Sequence, residues 1–256
     1  MLKTWANSNS IEACFIEEKN KFPSNTTRGL HYLARYSSIS NEILCGENFF
    51  VCNKSYLNKY KNSKILIVGA GPTANERDWK AEDYDYIFSC NHFFLNEKLK
   101  NIKVDLCFIC GEVDCLSNSF IDYVTKNNTY VGLEDYNVDI KKIKKLHNKI
   151  GDNLFFCLSR FQGKIGVAPK LALFAAFLGA SEIHLVGIDG VPPNYKKGEL
   201  SNHSFQKGKT WQTSYPYKLI LKHYSEFKQF LYNDIGRNCV IKNLGAGHEY
   251  NCLSKV

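Results

Sequence analysis

The sequence predicts an α/β domain built on a doubly wound, mostly parallel sheet, and three observations carry that expectation. Short, largely apolar runs recur at Ile65–Val68, Val104–Cys110 and Ile183–Val186, as in strands buried on both faces. Two of these runs close on glycine-containing turns, Gly69-Ala70-Gly71-Pro72 and Gly187-Ile188-Asp189, at the strand ends where ligands bind in open α/β sheets. Between them lies an Ala- and Leu-rich helical stretch, Pro169–Leu178, whose small residues suit close packing on a sheet.

Composition narrows the class. The 256 residues are 44% hydrophobic and 14% aromatic, ample for a packed core, so a disordered chain is excluded. A net charge of +8 favours acidic partners: nucleotides, phosphorylated sugars, an anionic membrane surface or nucleic acid. Nucleic acid is set aside, because the charge is scattered and no RNP-like aromatic block or recognition helix is present. No run reaches the roughly 20 apolar residues of a membrane span, and Met1–Asn9 lead into no apolar signal segment. The expected location is therefore the cytoplasm, with membrane contact limited to the inner surface. Ten cysteines are present, and Cys107, Cys110 and Cys157 lie in apolar runs as small buried hydrophobes. Cys107 and Cys110 form a C-x-x-C, but strand alternation sends residues three apart to opposite faces, which argues against a shared metal.

Residues 1–60 read as an N-terminal extension without recognisable chemistry, with short helices over Ile11–Lys21 and Thr27–Tyr36. Arg28, His31 and Arg35 share a face there, taken as solvated or packed. The main domain spans 61–256. Its first strand, Ile65–Val68, stops at Gly69, Ala70, Gly71 and Pro72. Glycine permits positive φ and close backbone approach, Pro72 cannot donate to a ladder, and Thr73 suits a helix N-cap. A strand, a glycine turn and then free N–H groups can hold a phosphate. The G-x-G-P-T spacing is neither the dinucleotide nor the Walker pattern, so it predicts a nucleotide or phosphate turn without naming the ligand.

Tyr84–Cys90 is the second strand and ends in Asn91-His92-Phe93-Phe94. An Asn there either binds a ribose or base edge through its amide or simply turns the chain. The third strand, Val104–Cys110, leads to Glu112 and Asp114. Phe120–Val124 is a short apolar segment and Thr129–Leu133 a further strand. Ile143, Leu146 and Ile150 have helical spacing within Ile140–Ile150, which makes the intervening lysines a solvated face. Leu154–Leu158 is another strand. Gly166 then precedes the Ala-rich helix, Gly179 suits its C-terminus, and Ile183–Val186 ends at Asp189. In a doubly wound sheet Asp189 faces the same crevice as Gly71 and Asn91, whereas His184 is a packed strand residue.

Residues 190–216 form a long polar segment carrying Tyr195, Lys196, Lys197, His203, Lys207, Lys209, Trp211 and Tyr215. Structureless loops of that length are uncommon and are often lids. Cations, phenols and an imidazole are what a lid over a departing phosphate requires. A helix over Leu219–Tyr232 containing His223, a last strand Cys239–Asn243 and a turn with His248 complete the chain.

Two blocks together resemble the bacterial sialyltransferases of the Campylobacter lipooligosaccharide type. They share wider features with a group that includes 6-hydroxymethylpterin diphosphokinases and motility accessory factors. One block is the strand with G-x-G-P-[ST], followed about twenty residues on by Cys90-Asn91-His92-Phe93. The other is a basic residue, a glycine-containing turn, an Ala-rich helix and L-G-x-x-E-I-x-L-x-G-I-D, here Leu178–Asp189. The resemblance implies a Rossmann-like domain with a lid that binds CMP-sialic acid without metal, with Gly69, Gly71, Thr73 and Asn91 on the cytidine nucleotide. Lys164 falls where the family has an arginine, and a lysine lacks the bidentate fork that fits a carboxylate. Gly166 and Val167 replace hydroxyl residues. Val191 and Lys197 stand at the positions of the family's phosphate-stabilising tyrosines, with Tyr195 as the substitute. No histidine aligns with the family's base, which leaves His203 and His223, of which His203 is preferred.

The leading expectation is an inverting, metal-independent glycosyltransferase that passes a sugar from a nucleotide donor to a surface glycan. Its nucleotide set is Gly69, Ala70, Gly71, Pro72, Thr73, Asn91, Lys164, Gly166 and Asp189; its catalytic set is His203, His223 and Tyr195. A phospho- or diphosphotransferase using Mg²⁺ on Glu112, Asp114 and Asp189 is the second expectation. A non-catalytic nucleotide- or glycan-binding protein is the third.

Overall fold

Residues 54–110, 113–133, 140–156, 161, 164–235 and 238–254 are described in the computed structural model. The two N-terminal helices, Glu112 and Cys157 lie outside them. Among the described residues seven strands form one sheet: β1 (Lys64–Val68), β2 (Tyr86–Cys90), β3 (Leu106–Ile109), β4 (Tyr130–Leu133), β5 (Leu154–Phe156), β6 (Glu182–Val186) and β7 (Val240–Asn243). Their order is β5-β4-β3-β2-β1-β6-β7 and every pairing is parallel. The chain winds from β1 outward to β5, then returns to lay β6 on the free side of β1. Winding direction therefore reverses between β1 and β6, and a crevice opens at the carboxyl ends of those two strands.

Helices α1 (Thr73–Glu76), α2 (Asn118–Asn127), α3 (Ile140–Ile150), α4 (Val167–Phe177) and α5 (Tyr217–Gln229) cover the sheet, and α5 runs on into a π-helical turn, Phe230–Ile235. Strand alternation splits the core in two. Ile65, Ile67, Phe88, Phe108 and Leu185 face α4 and α5, while Leu66, Val68, Cys107, Ile109 and Val131 face α2 and α3. The segment Phe120–Val124 is helical, with Phe120, Tyr123 and Val124 buried as one face of α2. Leu146 and Ile150 are the buried side of α3, and Lys145 is exposed. Helix α4 is apolar almost all round because it lies between the sheet and the α5 layer, so both of its sides meet apolar neighbours. His184 is a packed strand residue: it is 7% exposed, bonded to Tyr84 Oη at 2.8 Å and to Glu182 Oε1 at 2.6 Å.

Candidate functional site

The two glycine turns meet face to face. Gly69 N–H donates to Val186 O at 2.8 Å and Gly71 N–H to Gly187 O at 2.7 Å. A Cβ on Gly69 would stand 2.3 Å from the Gly187 carbonyl oxygen, closer than real Cβ contacts come. Glycine is thus required because two backbones approach each other there, whatever ligand the turn also holds.

Asp189 fastens this junction. It is 1% exposed, and its carboxylate accepts the Thr73 hydroxyl, the Thr73 N–H at 2.9 Å and the Asn251 amide at 3.1 Å. Thr73 Oγ1 in turn accepts Gly187 N–H at 2.8 Å. Thr73 is therefore the first residue of α1 and not its cap: Pro72 holds the cap position, without a side-chain bond. The Asp189 backbone borders the crevice while its charge is spent inside the fold. Asp114 is exposed and accepts Leu116 N–H at 3.3 Å, far from that arrangement in role. Among the described residues no three His, Cys, Asp or Glu side chains are grouped to hold a metal ion, and Glu112, one of the set expected for Mg²⁺, lies outside them.

The crevice contains a cavity of about 470 Å³, within the usual range for small-molecule sites. Its walls come from both glycine turns, from Asn91 and His92 after β2, from the start of α4 and from the lid. Among the described residues, Lys164, Lys170 and Lys209 stand in the wall against the single carboxylate of Asp189. The cavity is therefore cationic and suits an anion. Gly166 sits at the N-cap of α4 at φ +80°, with no side-chain cap bond. The positive end of that helix, which also lines the cavity, has no side chain closing it.

Asn91 turns the chain, one of the two roles expected of it. Its φ of 53° is left-handed, a conformation Asn tolerates better than most residues. Its Oδ1 accepts Cys110 N–H at 3.1 Å, which orients the amide with the Nδ2 donor left for a ligand.

The lid packs onto the crevice. Residues 198–211 form a hairpin through a Leu200–Thr210 bridge, Ser201 N–H to Lys209 O at 2.8 Å and Trp211 N–H to Glu199 O at 2.9 Å. At its tip Ser204 N–H donates to Ala70 O at 2.9 Å, and Phe205 inserts into the α2–α3 core with 2% exposure.

His203 lines the cavity, but its chemistry differs from expectation. Nδ1 accepts the backbone N–H of Phe205 at 3.2 Å and of Gln206 at 3.0 Å. A neutral ring then carries its proton on Nε2, which makes that nitrogen a donor. Burial, aided by Lys209 and His92, pushes the imidazole down to about 4. Both features oppose general-base work at Nε2, the role expected of it. His223 is 5% exposed, lies off the cavity wall and uses Nδ1 to accept Lys164 N–H at 2.8 Å. It anchors the turn before α4. Tyr195 also lies off the wall and donates its hydroxyl to the Tyr215 carbonyl. Tyr215 is the lid phenol at the cavity, with the Lys164 ammonium 4.5 Å from its ring centroid, and Tyr224 of α5 also lines the wall.

Of the expected residues, Ala70, Gly71, Asn91, Lys164, Gly166, Asp189 and His203 border the cavity. Gly69, Pro72, Thr73, Tyr195 and His223 stand behind it and hold it in shape. His92, Lys170, Trp211 and Tyr215 line it without having been singled out as site residues. His92 adjoins Asn91 in the second strand's turn, and its ring centroid is 6.0 Å from that of His203. That turn was the available signal for it.

The sequence matches no family model and no curated protein. Among solved structures it is similar to the sialyltransferase CstII from Campylobacter jejuni in complex with a substrate analogue, cytidine-5'-monophosphate, at 19% identity, 72% coverage of this chain, 80% of that chain and a TM-score of 0.49. It is also similar to the monofunctional α-2,3-sialyltransferase Cst-I of Campylobacter jejuni, at 16% identity, 73% and 76% coverage and a TM-score of 0.47.

Proposed function

We propose that this protein is a sialyltransferase-like glycosyltransferase that moves a sugar from a nucleotide donor, CMP-linked, to a glycan acceptor. The observation that carries this reading is the cationic cavity at the β1–β6 reversal, where, among the described residues, three lysines face one internally bonded carboxylate. As the glycosidic bond to the donor phosphate breaks, negative charge grows on the departing oxygens. Lys164, Lys170 and Lys209, together with the uncapped start of α4, oppose that charge. These groups come from a turn, a helix and the lid, so the set is complete only when the lid is closed. Asn91 Nδ2 donates to the nucleoside, and His203 Nε2–H donates to donor or acceptor. The remaining imidazole in the wall, among the described residues, is His92. It takes the acceptor hydroxyl's proton as the acceptor oxygen attacks the anomeric carbon opposite the phosphate, which inverts the configuration.

The test is a thermal-shift series with CMP, CDP, UDP, GDP and ATP in EDTA and in Mg²⁺, followed by CMP release from a CMP-sugar in the presence of acceptor. A ligand that binds only the folded state raises the melting temperature by mass action. Stabilisation by CMP in EDTA and acceptor-dependent release support the proposal. A shift seen only with ATP and Mg²⁺ would move the assignment to phosphotransfer.

A further inference from the structure

The lid hairpin has an outer face that the cavity does not use. Ser201, Lys209 and Trp211 stand in the cavity wall, whereas Leu200, bridged to Thr210, is not part of it. Leu200 is 74% exposed, against 55% for Val240 and 41% for Leu95. Lys196, Lys197 and Lys207 are exposed around the same hairpin. None of the three is paired with a carboxylate among the described residues. The nearby acid, Glu199, has its carboxylate on the Lys196 backbone N–H at 3.1 Å and closes a turn there, and the three lysines outnumber it.

We infer that the outer face of this hairpin docks on an anionic lipid surface. Leu200 enters the headgroup boundary while the lysine stems lie along it and keep their ammonium groups among the phosphates. The chemistry matches a surface of negative headgroups more closely than single-stranded nucleic acid, because Leu200 and the three lysines include no aromatic platform for base stacking. One aliphatic side chain with three cations makes a weak, reversible and salt-sensitive attachment. Cavity wall and docking face are then two sides of one hairpin. If the glycosyltransferase assignment holds, docking would bring the cavity to a lipid-linked acceptor; the docking itself does not depend on that assignment.

The experiment is co-sedimentation of the full chain with phosphatidylcholine vesicles, with and without phosphatidylglycerol, at low and high salt. Binding only to the phosphatidylglycerol vesicles, weakened by salt, is the expected result. The variant Lys196→Ala/Lys197→Ala/Lys207→Ala is expected to lose on the order of a hundredfold in partitioning, about fivefold per lysine. Leu200→Ser is expected to lose several-fold, with the melting temperature of both variants unchanged. Lys144→Ala/Lys145→Ala, on α3, serves as the control and should bind as the parent does. Absence of sedimentation with phosphatidylglycerol would overturn the inference. So would full binding by the triple variant, or complete displacement by soluble single-stranded RNA at equal charge. None of these readouts involves a nucleotide or turnover, so failure here is separable from failure of the glycosyltransferase assignment.

Discussion

The Thr73 hydroxyl stands 2.7 and 2.8 Å from the two carboxylate oxygens of Asp189, a residue 116 positions further along the chain. That contact closes the gap between the turn after β1 and the turn after β6, and Asn251 joins it from the C-terminal turn. The crevice keeps its shape through a buried polar knot, in which every group depends on the others.

Thr73→Val removes one oxygen that both donates to Asp189 and accepts from Gly187 N–H. Two buried polar groups then lose a partner, and a stability loss of about 2–3 kcal/mol is expected. Urea unfolding measures it. A loss under half of that would mean the knot relaxes onto Asn251.

The lid should respond to acid before the sheet does. Burial holds His203 at about 4 in the folded chain, below its ordinary 6.5. The unfolded state therefore takes the proton first. The stability due to neutral His203 is complete above about pH 6.5 and is lost as pH falls towards 4. Protonation of Nδ1 also removes the acceptor for Phe205 and Gln206 N–H. Amide exchange at 203–206 should accelerate through that window. His203→Asn, whose Oδ1 can accept the same N–H groups without titrating, should flatten the dependence.

His92 and His203 should separate kinetically. His92→Gln is expected to lower kcat by roughly 10²–10⁴, the usual scale of general-base loss. His203→Asn should act mainly on KM, since a donor and a turn clamp are what it removes. Equal losses of kcat in both variants would return the base to His203.

Lys164→Met removes an ammonium from the cavity and from the Tyr215 ring. CMP affinity should fall roughly ten- to hundredfold, the range for one charge-assisted contact, with little change in unfolding free energy because Lys164 is exposed. Isothermal titration in EDTA checks both the size of the effect and its independence of metal.

Gly69→Ala and Gly166→Ala make a matched pair. A Cβ at position 69 meets a backbone carbonyl at 2.3 Å, while one at position 166 meets nothing within 4 Å but sits at φ +80°. The first should prevent β1 and β6 from closing and leave little folded protein. The second should cost about 1–3 kcal/mol of backbone strain, since φ +80° with ψ −174° is a region open essentially to glycine alone. Expression and thermal unfolding distinguish them.

Much of this molecule was readable in advance, for identifiable reasons. Strands buried on both faces leave apolar runs, so β1 and β6 were visible as Ile65–Val68 and Ile183–Val186, and the crevice turns followed from their glycines. The apolar Phe120–Val124 segment concealed a helix, because its buried positions 120, 123 and 124 show their spacing only once Asn118–Asn127 is taken together. Roles at the site were less legible. Tyr195 and Tyr215 are both phenols on one lid, and only packing decided that the first would hold the second's carbonyl while the second reached the cavity.

By itself, then, the sequence determined the mostly parallel α/β class and the two glycine turns that border the crevice, since these depend on residue type and local periodicity. Tertiary structure alone decided which nitrogen of His203 carries the proton, where the charge of Asp189 is spent and which side of the lid faces water. Each of those depends on partners two to more than a hundred positions away, whose meeting is set by chain winding and packing and leaves no local pattern.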